Sequence, residues 1–364
     1  MKVLFAGGGT GGHINPALSV ADYLRKRDEN FEALFVGTKR GLETKLVPAA
    51  GYDIKYIDIS GFDRKNLLKN FSVAAKLLKA NSDCVKIIKE FKPDAIVCTG
   101  GYASGPVAIA SKKCGVPSLI HEQNVYPGLT VKGAERYVNY VAVSFDETVN
   151  QMKKKEKCVV VGNPIREEIL TADRKLAREK LGISDDEKFV LVFGGSLGAA
   201  KINEAMIAAA PLLAKENVRI LFGTGERNYK AVTEALGEVP TNMTVTPYIN
   251  NMAEVMAAAD LAVTRSGAIT VSELACLKKP AVLIPSPNVV RNHQEQNAKE
   301  FEDANAAVML KETELCGESL ADTVMKIVSD DKRLCEMSKN MAKLAKCDAL
   351  EKIAELIYKM SKRA

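Results

Sequence analysis

The sequence is poor in the residues that build metal centres. It holds only three histidines, His13, His121 and His293, and no Asp-x-Asp pair. The first shortage excludes a histidine-rich metal site, and the second removes the carboxylate pair that grips a divalent ion on a diphosphate. A reaction that needs no metal and no other cofactor is the expectation. The eight cysteines stand at positions 84, 98, 114, 158, 276, 316, 335 and 347 without any Cys-x-x-Cys pair, and several lie in apolar runs where a reduced thiol packs as a small hydrophobe. That pattern reads as a reducing, cytoplasmic setting. No stretch of about 18 apolar residues occurs, and the opening Met1-Lys2-Val3-Leu4-Phe5-Ala6 breaks into glycine too soon for a signal-peptide core. Charge of either sign is also not in large excess: 51 basic and 45 acidic residues leave +6, compatible with an acidic partner, an anionic lipid surface or neither.

What remains is an ordinary globular composition. The 364 residues are 47% hydrophobic and 26% charged, enough for two domains with real cores. Short runs rich in Val, Ile and Phe alternate with longer amphipathic stretches, the signature of β-α-β units around a parallel sheet. Runs over 2–6, 33–36, 54–57, 95–98, 118–120 and 140–143 read as strands. After Val159-Val160-Val161 and the turn Gly162-Asn163-Pro164 the pattern restarts, with strands expected over 189–193, 219–222, 243–245, 261–263, 281–284 and 307–309. The fold class is α/β, two doubly wound parallel sheets in tandem. Residues 1–162 are expected as a first domain, 163–347 as a second and 348–364 as a terminal helix. In that helix Leu350, Ile353, Ala354, Leu356, Ile357 and Met360 recur at helical spacing, so it needs a surface to cover, and the first domain is the expected one.

Glycine marks the loops where a ligand would sit. Directly after the first strand comes Gly7-Gly8-Gly9-Thr10-Gly11-Gly12-His13, followed by a helical run. Glycines admit close approach and positive φ, and a helix N-terminus presents free N–H groups to an anion or a sugar hydroxyl. Gly7, Gly9 and Gly12 satisfy the dinucleotide fingerprint. The next strand, however, ends Val36-Gly37-Thr38-Lys39-Arg40, without the acid that grips a ribose and with cations suited to a 2′-phosphate. An NADP-dependent reductase is therefore one reading. A second glycine loop spans Gly100 to Pro106, and His121-Glu122-Gln123-Asn124 follows the fifth strand, at the edge where open sheets bind ligands.

The second domain has its own loop, Gly194-Gly195-Ser196-Leu197-Gly198-Ala199, which suits a phosphate. The same letters match a Gly-x-Ser-x-Gly nucleophile elbow, with Asp260 and His293 following in hydrolase order, but that reading leaves the first domain's loops without a role. Arg166, in Asn163-Pro164-Ile165-Arg166, stands where the second domain opens and is fit to clamp a diphosphate. Ser266 to Glu273 runs into a helix, with the Ala268 and Ile269 amides near its start and a Glu273 carboxylate able to accept both hydroxyls of a ribose. Gln294 opens a further helix within reach of a sugar hydroxyl.

In this order and along the whole chain, these motifs resemble the bacterial N-acetylglucosaminyltransferases that form lipid II of peptidoglycan. The resemblance implies a GT-B fold, two Rossmann-like domains facing a crevice, with the acceptor and membrane on the first domain and the UDP-sugar on the second. It implies transfer of N-acetylglucosamine from UDP-N-acetylglucosamine to undecaprenyl-diphospho-muramoyl-pentapeptide, lipid I. Donor contacts then fall on Thr10, Gly11, Gly12, Asn124, Arg166, Ser196, Ile249, Ala268, Ile269, Thr270, Val271, Ser272, Glu273 and Gln294. One departure is Lys278-Lys279-Pro280, where relatives often carry a glycine turn. A related lipid glycosyltransferase acting on diacylglycerol is the nearest alternative. The donor sugar is α-linked and the family's product β-linked, so the displacement inverts and the acceptor hydroxyl must lose a proton. His13 is the first candidate base and Glu122 the second. Arg166 and the amides around Ser196 are placed to stabilise departing UDP without a metal.

Between Phe62 and Pro93, Arg64, Lys65, Lys69, Lys76, Lys79, Lys86, Lys89 and Lys92 outnumber Asp63, Asp83 and Glu90, while Leu67, Leu68, Phe71, Ala75 and Leu78 fall near one helical face. Such a stretch covers either a core or an anionic bilayer, and a lipid-linked acceptor favours the bilayer. The expected location is peripheral, on the cytoplasmic side of the cell membrane, with UDP-N-acetylglucosamine and lipid I as partners and no nucleic acid.

Overall fold

A computed structural model describes residues 1–59, 69–195 and 198–361. They form two compact units, Met1–Ile165 with Lys346–Ala364, and Arg166–Ala345. The first contains β1 (Lys2–Ala6), α1 (Gly11–Arg25), β2 (Glu32–Gly37), α2 (Glu43–Ala49), β3 (Asp53–Tyr56), α3 (Lys69–Phe91), β4 (Ala95–Cys98), α4 (Gly101–Cys114), β5 (Ser118–Glu122), α5 (Leu129–Ala134), β6 (Tyr140–Val143), α6 (Asp146–Asn150) and β7 (Cys158–Val160). The second contains α7 (Glu167–Leu170), α8 (Arg174–Leu181), β8 (Lys188–Phe193), α9 (Ala200–Leu213), β9 (Val218–Gly223), α10 (Tyr229–Leu236), β10 (Met243–Thr246), α11 (Met252–Ala258), β11 (Leu261–Thr264), α12 (Ala268–Cys276), β12 (Ala281–Leu283), α13 (His293–Asp303), β13 (Ala307–Met309), α14 (Gly317–Val328) and α15 (Asp331–Leu344). The last helix, α16 (Ala349–Ser361), belongs to the first unit.

Both sheets are parallel throughout, in the order β3-β2-β1-β4-β5-β6-β7 and β10-β9-β8-β11-β12-β13. Parallel strands are covered on both faces, which is why their sequences run apolar without alternating with polar residues. In β1 the two-residue period divides the cores: Val3 and Phe5 face one cluster, Leu4 and Ala6 the other. Leu350, Ile353, Ala354, Ile357 and Met360 of α16 join the Val3 and Phe5 face. Several strands run a residue or two longer than the sequence pattern indicates, and at β5 the extension bears on the site. β5 continues through His121 and Glu122, because both still pair with β6, so these two side chains belong to a buried strand end and not to a loop. Lys278 holds φ at +58°, the left-handed conformation that glycine adopts freely, at the position where the family resemblance implies a glycine turn.

Candidate active site

In open α/β sheets, ligands gather outside the carboxyl ends of the strands where the strand order reverses. In the first unit that reversal lies between β1 and β4, and the loops leaving these strands are the two glycine loops. Their glycines have a steric function. A Cβ on Gly101 would stand 2.2 Å from the Gly8 carbonyl oxygen, and one on Gly100 would stand 2.7 Å from His13 Nδ1. The loops therefore meet backbone to backbone, and the imidazole lies against Gly100.

His13 is held at both ends. Thr99 Oγ1 donates to its carbonyl oxygen at 2.7 Å, while its Nδ1 lies 3.0 Å from Thr99 O and 3.1 Å from Gln123 Oε1. The amide of Gln123 can be oriented in one way only. Its Nε2 donates to Thr99 O at 2.9 Å and His121 O at 3.2 Å, where an oxygen would be repelled, so Oε1 faces His13. Both neighbours of Nδ1 are thus acceptors. Nδ1 carries a proton, and in the neutral ring Nε2 is the nitrogen with the lone pair. The order continues inward: His121 Nδ1 accepts from Gln123 Nε2 at 3.0 Å, and His121 Nε2 donates to Gly162 O at 2.9 Å. Burial pushes the His121 pKa down to about 4, against the pull of the Gly162 carbonyl, so at neutral pH this ring stays uncharged and the chain keeps one direction.

Glu122 is engaged differently. Its Oε1 accepts from Asn124 N at 2.9 Å and Asn124 Nδ2 at 3.1 Å, and its Oε2 from Gly128 N at 2.8 Å. The carboxylate closes the loop that presents Asn124, which is half-buried. Thr10 is exposed, precedes α1 in an extended conformation and accepts from His13 N and Ile14 N through its carbonyl; Gly11 and Gly12 open the helix.

In the second unit the order reverses between β8 and β11. Ser196, in the loop after β8, lies outside the described residues. Of the loop around it, Gly198 has φ +72° and no room for a Cβ, which would stand 2.1 Å from Thr224 O. After β11, α12 starts at Ala268, and two of the expected donor contacts come together here: Arg166 Nη2 lies 3.4 Å from Glu273 Oε1. Glu273 is buried and Arg166 half-exposed; burial raises the Glu273 carboxyl above its usual value, and the guanidinium opposes that rise. Ala268, Val271 and Ile249 are buried, while Ile269, Thr270 and Ser272 are half-buried. Gln294 accepts from Ser286 N through Oε1 at 2.8 Å, and its carbonyl accepts from Ser266 Oγ at 2.8 Å, which ties the loop after β12 to the start of α12.

The hydrolase reading does not survive. Asp260 precedes β11, at the amino edge of the sheet, and is engaged by Arg174 and Arg178; His293 opens α13 after β12, beyond the carboxyl edge. Sequence reasoning missed Thr99, whose role rests on contacts 86 residues away, and Glu43, which reads locally as the acidic first turn of α2. No local signal marks either.

The chain matches the glycosyltransferase family 28 N-terminal domain over residues 3–143 and the family 28 C-terminal domain over residues 189–353. It is 43% identical to the UDP-N-acetylglucosamine--N-acetylmuramyl-(pentapeptide) pyrophosphoryl-undecaprenol N-acetylglucosamine transferase of Acetivibrio thermocellus, over 100% of this chain and 99% of the relative. It is 42% identical to the protein of the same name from Bacillus licheniformis, over 100% of both. The crystal structure of Acinetobacter baumannii MurG is similar at a TM-score of 0.81 and 31% identity, over 98% of this chain and 99% of that one. A UDP-GlcNAc 2-epimerase from Neisseria meningitidis bound to UDP-GlcNAc reaches a TM-score of 0.67 at 14% identity, a likeness of fold alone.

Proposed function

Since the chain belongs to glycosyltransferase family 28, among its UDP-N-acetylglucosamine--N-acetylmuramyl-(pentapeptide) pyrophosphoryl-undecaprenol N-acetylglucosamine transferases, we propose roles for its residues in that reaction. The enzyme moves N-acetylglucosamine from UDP-N-acetylglucosamine to lipid I in peptidoglycan synthesis, and nothing supports the reductase or diacylglycerol alternatives. The observation that carries the catalytic assignment is the proton order at His13. With Nδ1–H committed to two carbonyl oxygens, Nε2 is left as a base. The acceptor hydroxyl oxygen attacks the anomeric carbon and forms the new C–O bond as its proton passes to Nε2. The bond to UDP breaks, and the electron pair leaves on the diphosphate. In this reading Arg166 and the loop after β8 stabilise that charge, while Glu273 accepts the ribose hydroxyls. Glu122 serves the site by holding Asn124. The test of the reaction is UDP release with a lipid I analogue in excess EDTA, with turnover expected; absence of UDP release would remove the reading.

Glu273→Ala is expected to weaken UDP binding roughly 10-fold to 100-fold, the worth of hydrogen bonds to a charged acceptor. Thermal protection by UDP reads it, and an unchanged protection curve would remove the ribose assignment.

Membrane association, on the cytoplasmic side, rests on a smaller observation. Among the described side chains of α3, Ala80, Cys84 and Ile88 are buried, whereas Leu78 is 74% exposed beside Lys79. Helix α3 packs on α4 and α4 on α5, whose first turns expose Tyr102 and Leu129. Residues 60–68 of the basic stretch, with Arg64, Lys65, Leu67 and Leu68, lie outside the described residues. Among those described no helix is long and apolar enough to cross a membrane. Exposed apolar side chains among lysines suit an anionic lipid surface. Leu78→Glu is expected to reduce co-sedimentation with phosphatidylglycerol vesicles, and equal sedimentation of both proteins would count against this face.

A further inference from the structure

The first glycine loop carries the dinucleotide fingerprint in register, and the second glycine of that pattern is where the backbone of such folds meets a pyrophosphate. Here that residue is Gly9, and its N–H is already taken: it donates to Glu43 Oε2 at 2.8 Å. The other oxygen of Glu43 accepts from Thr38 N at 2.9 Å and Thr38 Oγ1 at 2.8 Å. The carboxylate is fully buried at the carboxyl ends of β1 and β2, where a nucleotide would lie. Space has been cleared for it on three sides, since a Cβ on Gly8, Gly37 or Gly41 would come within 2.6 Å of a Glu43 side-chain atom. These hydrogen bonds outweigh burial and hold the carboxyl below its usual value, so the seat is occupied by an anion at neutral pH.

We propose that Glu43 is a resident ligand of the first glycine loop, a positioning and specificity residue. Its carboxylate fills the anion seat at Gly9, keeps a nucleotide's phosphates out of that seat and fixes the loop that leads into α1, whose first turn carries His13. The geometry explains why a chain with the fingerprint is not a dinucleotide enzyme. The acid expected at the end of the second strand is present six residues beyond Gly37, and it binds the loop instead of a ribose. The effect on turnover rests on the assignment of His13 as base; the effect on anion binding does not.

Glu43→Ala leaves three convergent donors, Gly9 N, Thr38 N and Thr38 Oγ1, without an acceptor, so formate is the matching probe. In the full-length enzyme with UDP saturating the second unit, Glu43→Ala should gain a saturable thermal response to formate and to inorganic phosphate that the wild type lacks. Its kcat should fall on the order of 10²-fold, as expected when a catalytic group is displaced by about 1 Å, with the KM for UDP-N-acetylglucosamine unchanged. Formate should restore a substantial part of kcat. Glu43→Gln, which fills the space but sets an NH₂ against one of the donors, should lose turnover without formate rescue. A normal kcat in Glu43→Ala, or a lower melting temperature with normal kcat and no response to formate, would overturn the proposal by reducing Glu43 to a folding role. If anion binding and rescue appear while His13→Ala retains turnover, the base assignment fails and the resident-ligand assignment stands.

Discussion

His13→Ala is expected to lower saturated turnover by on the order of 10²-fold to 10⁴-fold, the usual contribution of a positioned acid or base, and to leave the KM for UDP-N-acetylglucosamine nearly unchanged. The split follows from where the groups sit. His13 belongs to the first unit, whereas the residues assigned to the UDP moiety, Glu273 for its ribose and Arg166 for its diphosphate, lie in the second. The size follows from the proton order. Thr99 O and Gln123 Oε1 both accept from Nδ1, so no conformational or tautomeric search precedes proton transfer to Nε2. A ring that only shaped the glycine loop would, on removal, raise KM values while turnover at saturation survived. Glu122→Gln is the companion variant, because its carboxylate already accepts from Asn124 and Gly128. Normal turnover in His13→Ala beside a dead Glu122→Gln would transfer the base role to Glu122.

Asp260→Ala is expected to destabilise the second unit by about 3–5 kcal/mol, the cost of leaving a buried charge uncompensated. Asp260 accepts from Arg174 Nη2 at 2.7 Å, Arg178 Nη1 at 3.2 Å and Phe189 N at 2.8 Å. Arg178 is 2% exposed, and its guanidinium also donates to the Ala258, Ser184 and Glu187 carbonyls. A third cation, Lys279, is buried against the Ala257 and Ala259 carbonyls; burial and the neighbouring arginines push it down to about 7, and Asp260 is the charge opposing that fall. Among the described residues Asp260 is the carboxylate that pairs both arginines, so its loss strands a cationic cluster at the amino edge of β8 and β11. The melting temperature of the full chain should drop on the order of 10 °C, and UDP release measured well below that temperature should persist. A melting curve like that of the wild type would show the cluster to be hydrated and the carboxylate dispensable.

Strand positions, the α/β class and the glycine loops were legible in the sequence because each is a local property. A β-branched run states its own burial, and a glycine at +92° or +99° is required by its own backbone, whatever lies across the sheet. The resemblance read from ordered motifs shares this character, since it depends on letters and spacing. Partners of polar side chains have no such local record. Gln123 reads as one of four polar loop residues until β1, β4 and β5 become neighbours, and only then do Thr99 and His13 come within hydrogen-bond distance of its amide. Glu43 reads as an ordinary first-turn acid until the loops after β1 and β2 converge on it. Asp260, in line for a hydrolase triad by chain order, is placed by the sheet at the edge away from His293 and given to two arginines more than 80 residues before it. A hydrogen bond acts over about 3 Å and is indifferent to sequence separation, so the proton order at His13 and the occupied anion seat at Gly9 were decided by tertiary structure alone.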